Sequence, residues 1–271
     1  MPTPRKAGER PLNRYQAIIS KIFELHFKKG DLEFDFTRDE FVGVAKALSI
    51  DLPKNVGDVI YSFRYRNELP ESIRLAAAAE REWIIEGAGR ACYRFKLVTL
   101  NRIVPRDELV TIKVPDATPE IISAYALGDE QALLAKVRYN RLVDVFLGIS
   151  ASSLQNHLRT TVKAVGQIEI DEIYVGIDRH GRQFVVPVQA KGGTDKYGVV
   201  QTQQDVACCA EKFPGLICRP VSAQFMADKR IAMFELAVVD GDVKVVDEKH
   251  YQLVSASAIS TEDLQRYSNR T

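Results

Sequence analysis

The sequence lacks the marks of several large classes of protein. No apolar stretch reaches the ~18 residues of a transmembrane helix before a charge interrupts it, so no membrane span is expected. The first residues, MPTPRKAGER, have no apolar core and read as a short flexible tail rather than a secretory signal. Cysteine is scarce: Cys92, Cys208, Cys209 and Cys218, with no CxxC, which suggests neither a zinc ribbon nor a redox pair. Adjacent Cys208 and Cys209 fall in a helical pattern and read as small buried residues of a reducing compartment, so a cytoplasmic location is expected. The histidines, His26, His157, His180 and His250, are scattered without ligand spacing. There is no Walker motif, no GxGxxG loop, no internal repeat and no low-complexity segment. A net charge of +1 does not announce a nucleic-acid binder, nor does it exclude one, because a nuclease needs acids in its site and bases around it.

What is present is an ordinary globular composition, 46% hydrophobic and 27% charged over 271 residues, enough for one large domain or two small ones. Residues 14–29 place Ile18, Ile22, Phe23 and Leu25 at helical spacing until Gly30 stops the run. Thr37 and Glu40 form a capping-box pair ahead of Phe41, Val44, Ala45 and Leu48. A third helix is expected after Pro53, ending near Arg66 or Asn67, and EREWIIEGAGRACYRFKLV reads as a hairpin around Gly87-Ala88-Gly89. Three helices followed by a hairpin resemble a winged helix. That resemblance implies a DNA-binding module over 1–100. Its third helix, with Lys54, Asn55, Arg64, Tyr65 and Arg66, would enter the major groove, and Arg90 and Arg94 would lie on the wing. The alternative is that these basic residues face solvent on an amphipathic helix.

Residues 101–117 carry two prolines and little periodicity and read as a linker with a short strand. A second domain is expected over 118–271. Thr118-Pro119-Glu120 opens a short helix, and Asp129 caps a longer one from about Glu130 to Phe146 that Gly148 ends. Ser150 would cap a further helix, about 151–160. Strands follow in TTVKAV, QIEIDEIYVGI and RQFVVPVQA, then a helix over about 196–212 closed by Pro214-Gly215, then LICRPVSAQF, then a hairpin turning at Asp240-Gly241. The expected class is α/β, helix, three strands, helix, strand, with an antiparallel meander at its start.

The chemistry lies in that meander. In FVVPVQAKGG, alternation puts Gln189 and Lys191 on one face and Val186, Val188 and Ala190 on the other. A lysine at the end of a buried strand is costly unless something negative or wet meets it. In QIEIDEIYVGID, Glu169 and Asp171 share the face opposite Ile168 and Ile170; Glu172 falls with the latter pair. If the DRHGR loop centres on His180, positions whose numbers sum to 360 are paired, and Asp171 faces Gln189. Two acids and a Gln/Lys pair then share one surface. Two carboxylates with a nearby amide oxygen or main-chain carbonyl make a hard, all-oxygen set that suits Mg²⁺, with Mn²⁺ as a substitute, and a neighbouring lysine fits phosphodiester hydrolysis better than chemistry needing a His or Ser nucleophile.

Glu169-Ile170-Asp171 and, after seventeen intervening residues, Gln189-Ala190-Lys191 resemble the active-site signature of the PD-(D/E)xK nucleases, which include many type II restriction endonucleases. The resemblance covers about 118–226 and implies a restriction-endonuclease-like core, an α-β-β-β-α-β mixed sheet. It makes Asp171 the metal-binding acid, puts Gln189 at the (D/E) position and makes Lys191 the lysine. Gln189 departs from the pattern and removes a negative charge. Glu169, or Glu130 from the preceding helix, is the candidate to restore it, the latter because a glutamate of the first core helix often joins the metal site in that superfamily. A first-turn glutamate favoured by the helix dipole is the alternative for Glu130, and a solvated strand face that for Glu169 and Asp171. Gln201, Gln204 and Asp205 form a polar stripe on the following helix that would position the lysine, a water or DNA, or simply face solvent.

The expectation is therefore a Mg²⁺-dependent endonuclease acting on double-stranded DNA, of restriction type, and a homodimer because two strands call for two active sites. Two alternatives stand beside it. One is a non-enzymatic regulator, because VFLGISASSLQNHLRTTV (145–162) resembles a helix-turn-helix with Gln155, Asn156 and Arg159 on its second helix. The other is a structure-selective repair nuclease with the same chemistry.

Overall fold

The computed structural model describes residues 13–65, 67–99, 102–125, 130–163, 165–192, 197–226 and 228–268, with only the backbone of Tyr65, Arg102 and Tyr197. The chain divides into two compact units, one of residues up to 101 together with Lys163–Gly166, the other of 102–162 and 167 onward.

In the first unit, the helix Arg14–His26 starts on a capping box in which Asn13 accepts the N–H groups of Tyr15 and Gln16. Its end comes at His26, short of Gly30. A strand not anticipated from the pattern, Glu33–Thr37, leads into the helix Arg38–Ala47, whose N-cap is the Thr37–Glu40 box expected from the sequence. The third helix is Val56–Tyr65, begun by Asn55, whose side chain accepts the Gly57 N–H at 3.1 Å. The hairpin strands are Glu82–Gly87 and Cys92–Val98, and Cys92–Val98 pairs antiparallel with both of the others. Ile18, Ile22, Phe23, Phe36, Phe41, Ile60, Trp83 and Phe95 are buried together. Phe23 meets Trp83 and Phe95 edge-on, with ring centroids 5.2 Å apart in both pairs, a favourable geometry for aromatic quadrupoles.

The second unit is built on a mixed sheet whose strands run, in spatial order, Thr111–Pro115, Asp242–Val254, Ile231–Val239, Val221–Phe225, Gln183–Lys191, Gly166–Ile177 and Ser150–Val162. The short Ile217–Cys218 strand also joins Gln183–Lys191. The sheet is mixed because Gln183–Lys191 runs antiparallel to Gly166–Ile177 and parallel to Val221–Phe225. Leu133, Leu134 and Val137 of the helix Glu130–Tyr139, with Val143, Phe146 and Leu147 of Leu142–Leu147, cover one face over Tyr174, Val186, Val188, Ala190 and Ala223. The helix Val199–Lys212 packs on the same strands through the other side chains. The α/β class expected from the pattern holds.

Several expected elements are corrected. The segment read as a linker with a short strand does hold one, Thr111–Pro115, but it pairs parallel with Asp242–Val254 at the edge of the sheet and lies within the unit that begins at Arg102. The expected helix from Glu130 to Phe146 is two helices. Asn140 leaves the helical path, donating through its side chain to the Lys136 carbonyl and the Thr118 hydroxyl, and Arg141 takes a left-handed backbone at φ 50°. Asp129, expected as its cap, lies outside the described residues. Most consequentially, 151–160 is not helical: Ser150–Val162 is a 13-residue strand, and the helix-turn-helix reading of 145–162 falls with it. Only one side of an edge strand faces the core, so its polar SSLQNH run carries no strong apolar alternation. Hydrogen bonding to its neighbour decides its conformation.

Candidate functional site

The hairpin has the register that its sequence implies. Ile177 pairs with Gln183 and Glu172 with Val188, and the Asp178 N–H donates to the Arg182 carbonyl across the His180 loop. Gly181 takes the positive φ of 80° that closes the turn. Val186, Val188 and Ala190 are fully buried against the helices, so Gln189 and Lys191 lie on the opposite face, as alternation requires.

Beyond the Glu172–Val188 pair, Asp171 takes over. Its Oδ2 accepts the main-chain N–H of Ala190 at 2.8 Å, joining the two strands through a side chain. Burial pushes the Asp171 carboxyl up. The Ala190 N–H and the Lys191 ammonium oppose that shift, and the charges of Glu130 and Glu169 reinforce it. These groups are close enough to feel one another's charge. Lys191 is half-buried and its side chain has no hydrogen bond or ion pair among the described residues, and the same holds for the side chain of Glu130 at the start of its helix.

The other expected residues separate into different environments. Glu169 is exposed, and its carboxylate meets Arg159 at 3.2 Å and His157 at 3.3 Å on the neighbouring strand. Burial raises its pKa, but these hydrogen bonds outweigh that and hold it below the usual carboxylate value. Gln201 is half-buried, whereas Gln204 and Asp205 are buried, so the stripe on Val199–Lys212 faces the sheet rather than solvent. Gln189, 1% exposed, directs its amide nitrogen at both oxygens of Asp205, 3.1 and 3.2 Å away, and at the Glu169 carbonyl at 3.2 Å. Ser222 and Gln224, paired in register with Gln189 and Lys191, are buried on the same face. Sequence reasoning missed this polar layer. Its signal was the alternation in VSAQF, which puts two polar side chains together on one side of a strand.

Glu172 lies on the helix-covered face and is fully buried, bonded to Arg138 at 2.8 Å and to the Ser153 hydroxyl. It belongs to the packing of the first helix, not to the Asp171 cluster. In the first unit, Lys54 and Asn55 are exposed at the start of the third helix, and Arg90 is exposed at the hairpin tip. Arg64 is half-buried, and Arg94 is engaged by Asp35 at 2.6 Å and Glu33 at 3.5 Å, so its charge is neutralised within the fold. The Tyr65 side chain and Arg66 lie outside the described residues.

Among the described residues, no set of three acidic, histidine or cysteine side chains converges to hold a cation. The donors suit a hard cation of the Mg²⁺ kind, which keeps several waters and needs only one or two carboxylates from the protein. Asp171 has one oxygen committed to Ala190 and one left over, and burial, with a smaller contribution from the neighbouring acids, makes its ionisation costly, a cost that a divalent cation would lower. No helix among the described residues is long and apolar enough to cross a membrane. No family model matches the chain, and no curated protein or solved structure matches it at a significant level.

Proposed function

We propose that this protein is a Mg²⁺-dependent DNA endonuclease with a PD-(D/E)xK-like core of the QxK kind. The observation that carries the reading is the Asp171 cluster: a half-buried carboxylate pinned by Ala190 and sharing its electrostatic surroundings with Lys191, Glu130 and Glu169. The order of elements supports it: the helix Glu130–Tyr139, three consecutive neighbouring strands, the helix Val199–Lys212, and a strand parallel to Gln183–Lys191.

In this reading Asp171 and the carbonyl oxygen of Gln189 hold the cation, with Glu130 or Glu169 adding charge. Bound there, Mg²⁺ lowers the pKa of water and stabilises negative charge on a phosphoryl oxygen. The Ala190 N–H fixes one Asp171 oxygen and leaves Oδ1 for the site. Lys191, whose side chain has no hydrogen bond or ion pair among the described residues, donates to the attacking water or to a phosphoryl oxygen and orients it for in-line attack at phosphorus. The first unit supplies DNA contact through Lys54, Asn55 and Arg90, in the manner of a winged helix. Cutting both strands of a specific site calls for two such centres, hence a homodimer. Mn²⁺ is expected to substitute for Mg²⁺.

Incubation of the purified protein with plasmid DNA and Mg²⁺, beside a Lys191→Ala variant and an EDTA control, tests the reading. Discrete fragments that vanish in both controls support a restriction-type enzyme. Unselective cutting supports a repair or nonspecific nuclease, and intact DNA under folded, DNA-binding protein sinks the enzyme.

A further inference from the structure

Gln189 carries no charge where the PD-(D/E)xK pattern has a carboxylate, yet it is not left to itself. Its amide has two N–H donors and one carbonyl oxygen. The nitrogen lies 3.1 and 3.2 Å from the oxygens of Asp205 and 3.2 Å from the carbonyl of Glu169. A main-chain carbonyl and an ionised carboxylate only accept hydrogen bonds. Turning the amide over would set its oxygen against three acceptor oxygens, in a place where Gln189 and Asp205 are each 1% exposed and water cannot intervene. The chemistry of the partners therefore selects one orientation. Both donors are engaged by the helix Val199–Lys212 and by the strand Gly166–Ile177, and the carbonyl oxygen is the only polar side-chain atom that Gln189 has left to offer.

We propose that Asp205 is the positioning residue of this site: it holds the Gln189 carbonyl toward the cation and, through the amide, supplies the negative charge that Gln189 lacks. The two residues together replace one acidic ligand by a neutral ligand with a buried carboxylate directly behind it. Sequence distance conceals this, because Asp205 comes from the helix Val199–Lys212 and Gln189 from the strand it covers. The proposal rests on the nuclease reading above.

Its test is a charge exchange, read by Mn²⁺ and Mg²⁺ affinity in the absence of DNA, from calorimetric titration and the cation-dependent rise in melting temperature. Four proteins are compared: the natural chain, Asp205→Asn, Gln189→Glu, and Gln189→Glu/Asp205→Asn. Removing a hydrogen-bonding partner of a metal ligand costs about 10–100-fold in metal affinity, and Asp205→Asn is expected to lose at least the lower figure. Gln189→Glu alone sets two carboxylates against each other and is expected to lose affinity as well, or to fold poorly. The double variant restores one carboxylate and one amide in contact, so it folds and returns to within about threefold of natural affinity, a coupling that independent sites do not show. Unchanged affinity in Asp205→Asn, or a folded double variant no better than the worse single one, overturns the proposal. These results leave the nuclease reading intact when the natural chain binds Mn²⁺ and cuts DNA. A natural chain that does neither overturns both.

Discussion

Asp171 accepts the main-chain N–H of Ala190 at 2.8 Å, so the side chain expected to meet a cation also closes the hairpin that carries Gln189 and Lys191. The site and the local fold are thus one structure, with consequences for stability as well as chemistry.

Asp171→Asn keeps an oxygen to accept the Ala190 N–H but removes a carboxylate whose charge is opposed by burial and by Glu130 and Glu169. In EDTA its melting temperature is expected to equal or exceed that of the natural protein, while cleavage and the rise in melting temperature on adding Mn²⁺ are lost. Thermal melts with and without cation measure this; a protein that melts lower without cation and still cuts would contradict it.

Arg138 and Glu172 form an ion pair whose acid is fully buried and whose base is 36% exposed. Arg138→Met leaves Glu172 with the Ser153 hydroxyl, and is expected to cost about 2–3 kcal/mol in urea unfolding, less than the ~3–5 kcal/mol of a fully buried pair because water reaches Arg138. The accompanying Tyr174 hydroxyl is held neutral by burial and then by the Glu172 charge. A loss below about 0.5 kcal/mol would show that the pair is already solvated.

Glu86 lies opposite Arg94 on the hairpin of the first unit, and burial raises its pKa more than Lys96 and Arg94 lower it. A carboxyl raised on folding adds stability below its ordinary value of 4.5, and that stability is lost as pH rises through the raised value. Glu86→Gln is therefore expected to flatten the fall in melting temperature on going upward from pH 4.5, with no effect below it. Melts in a pH series decide the point.

Lys54 and Arg90 are exposed and carry no ion pair among the described residues. If each meets a phosphate, alanine at either position lowers the slope of log affinity against log salt by about 1 and weakens all DNA sequences alike. Arg94→Ala, whose charge Asp35 already neutralises, is expected to leave that slope unchanged. Fluorescence anisotropy over a salt series separates the two cases.

Much of this architecture was legible in residue order. The Thr37–Glu40 cap, the Asp240-Gly241 turn with both residues at positive φ, the hairpin centred on His180 and the Val186-Val188-Ala190 core face all follow from local rules. Local rules work where a turn or a cap involves only neighbours, or where one sheet face is strongly apolar. They failed at Ser150–Val162, whose edge position leaves polar residues on both sides, and at Arg141, where buried Asn140 breaks the helix by bonding back to Thr118.

The candidate site divides along the same line. The sequence by itself determined which side chains share a face, Glu169 with Asp171 and Gln189 with Lys191, because alternation along a strand is a property of the backbone. Only the tertiary structure decided what stands behind them. Arg159 and His157 take the Glu169 carboxylate, and Asp205 arrives behind Gln189 from a helix sixteen residues later. Both pairings depend on how elements pack across the sheet, and hydrogen-bond partners chosen in that way leave no period in the sequence.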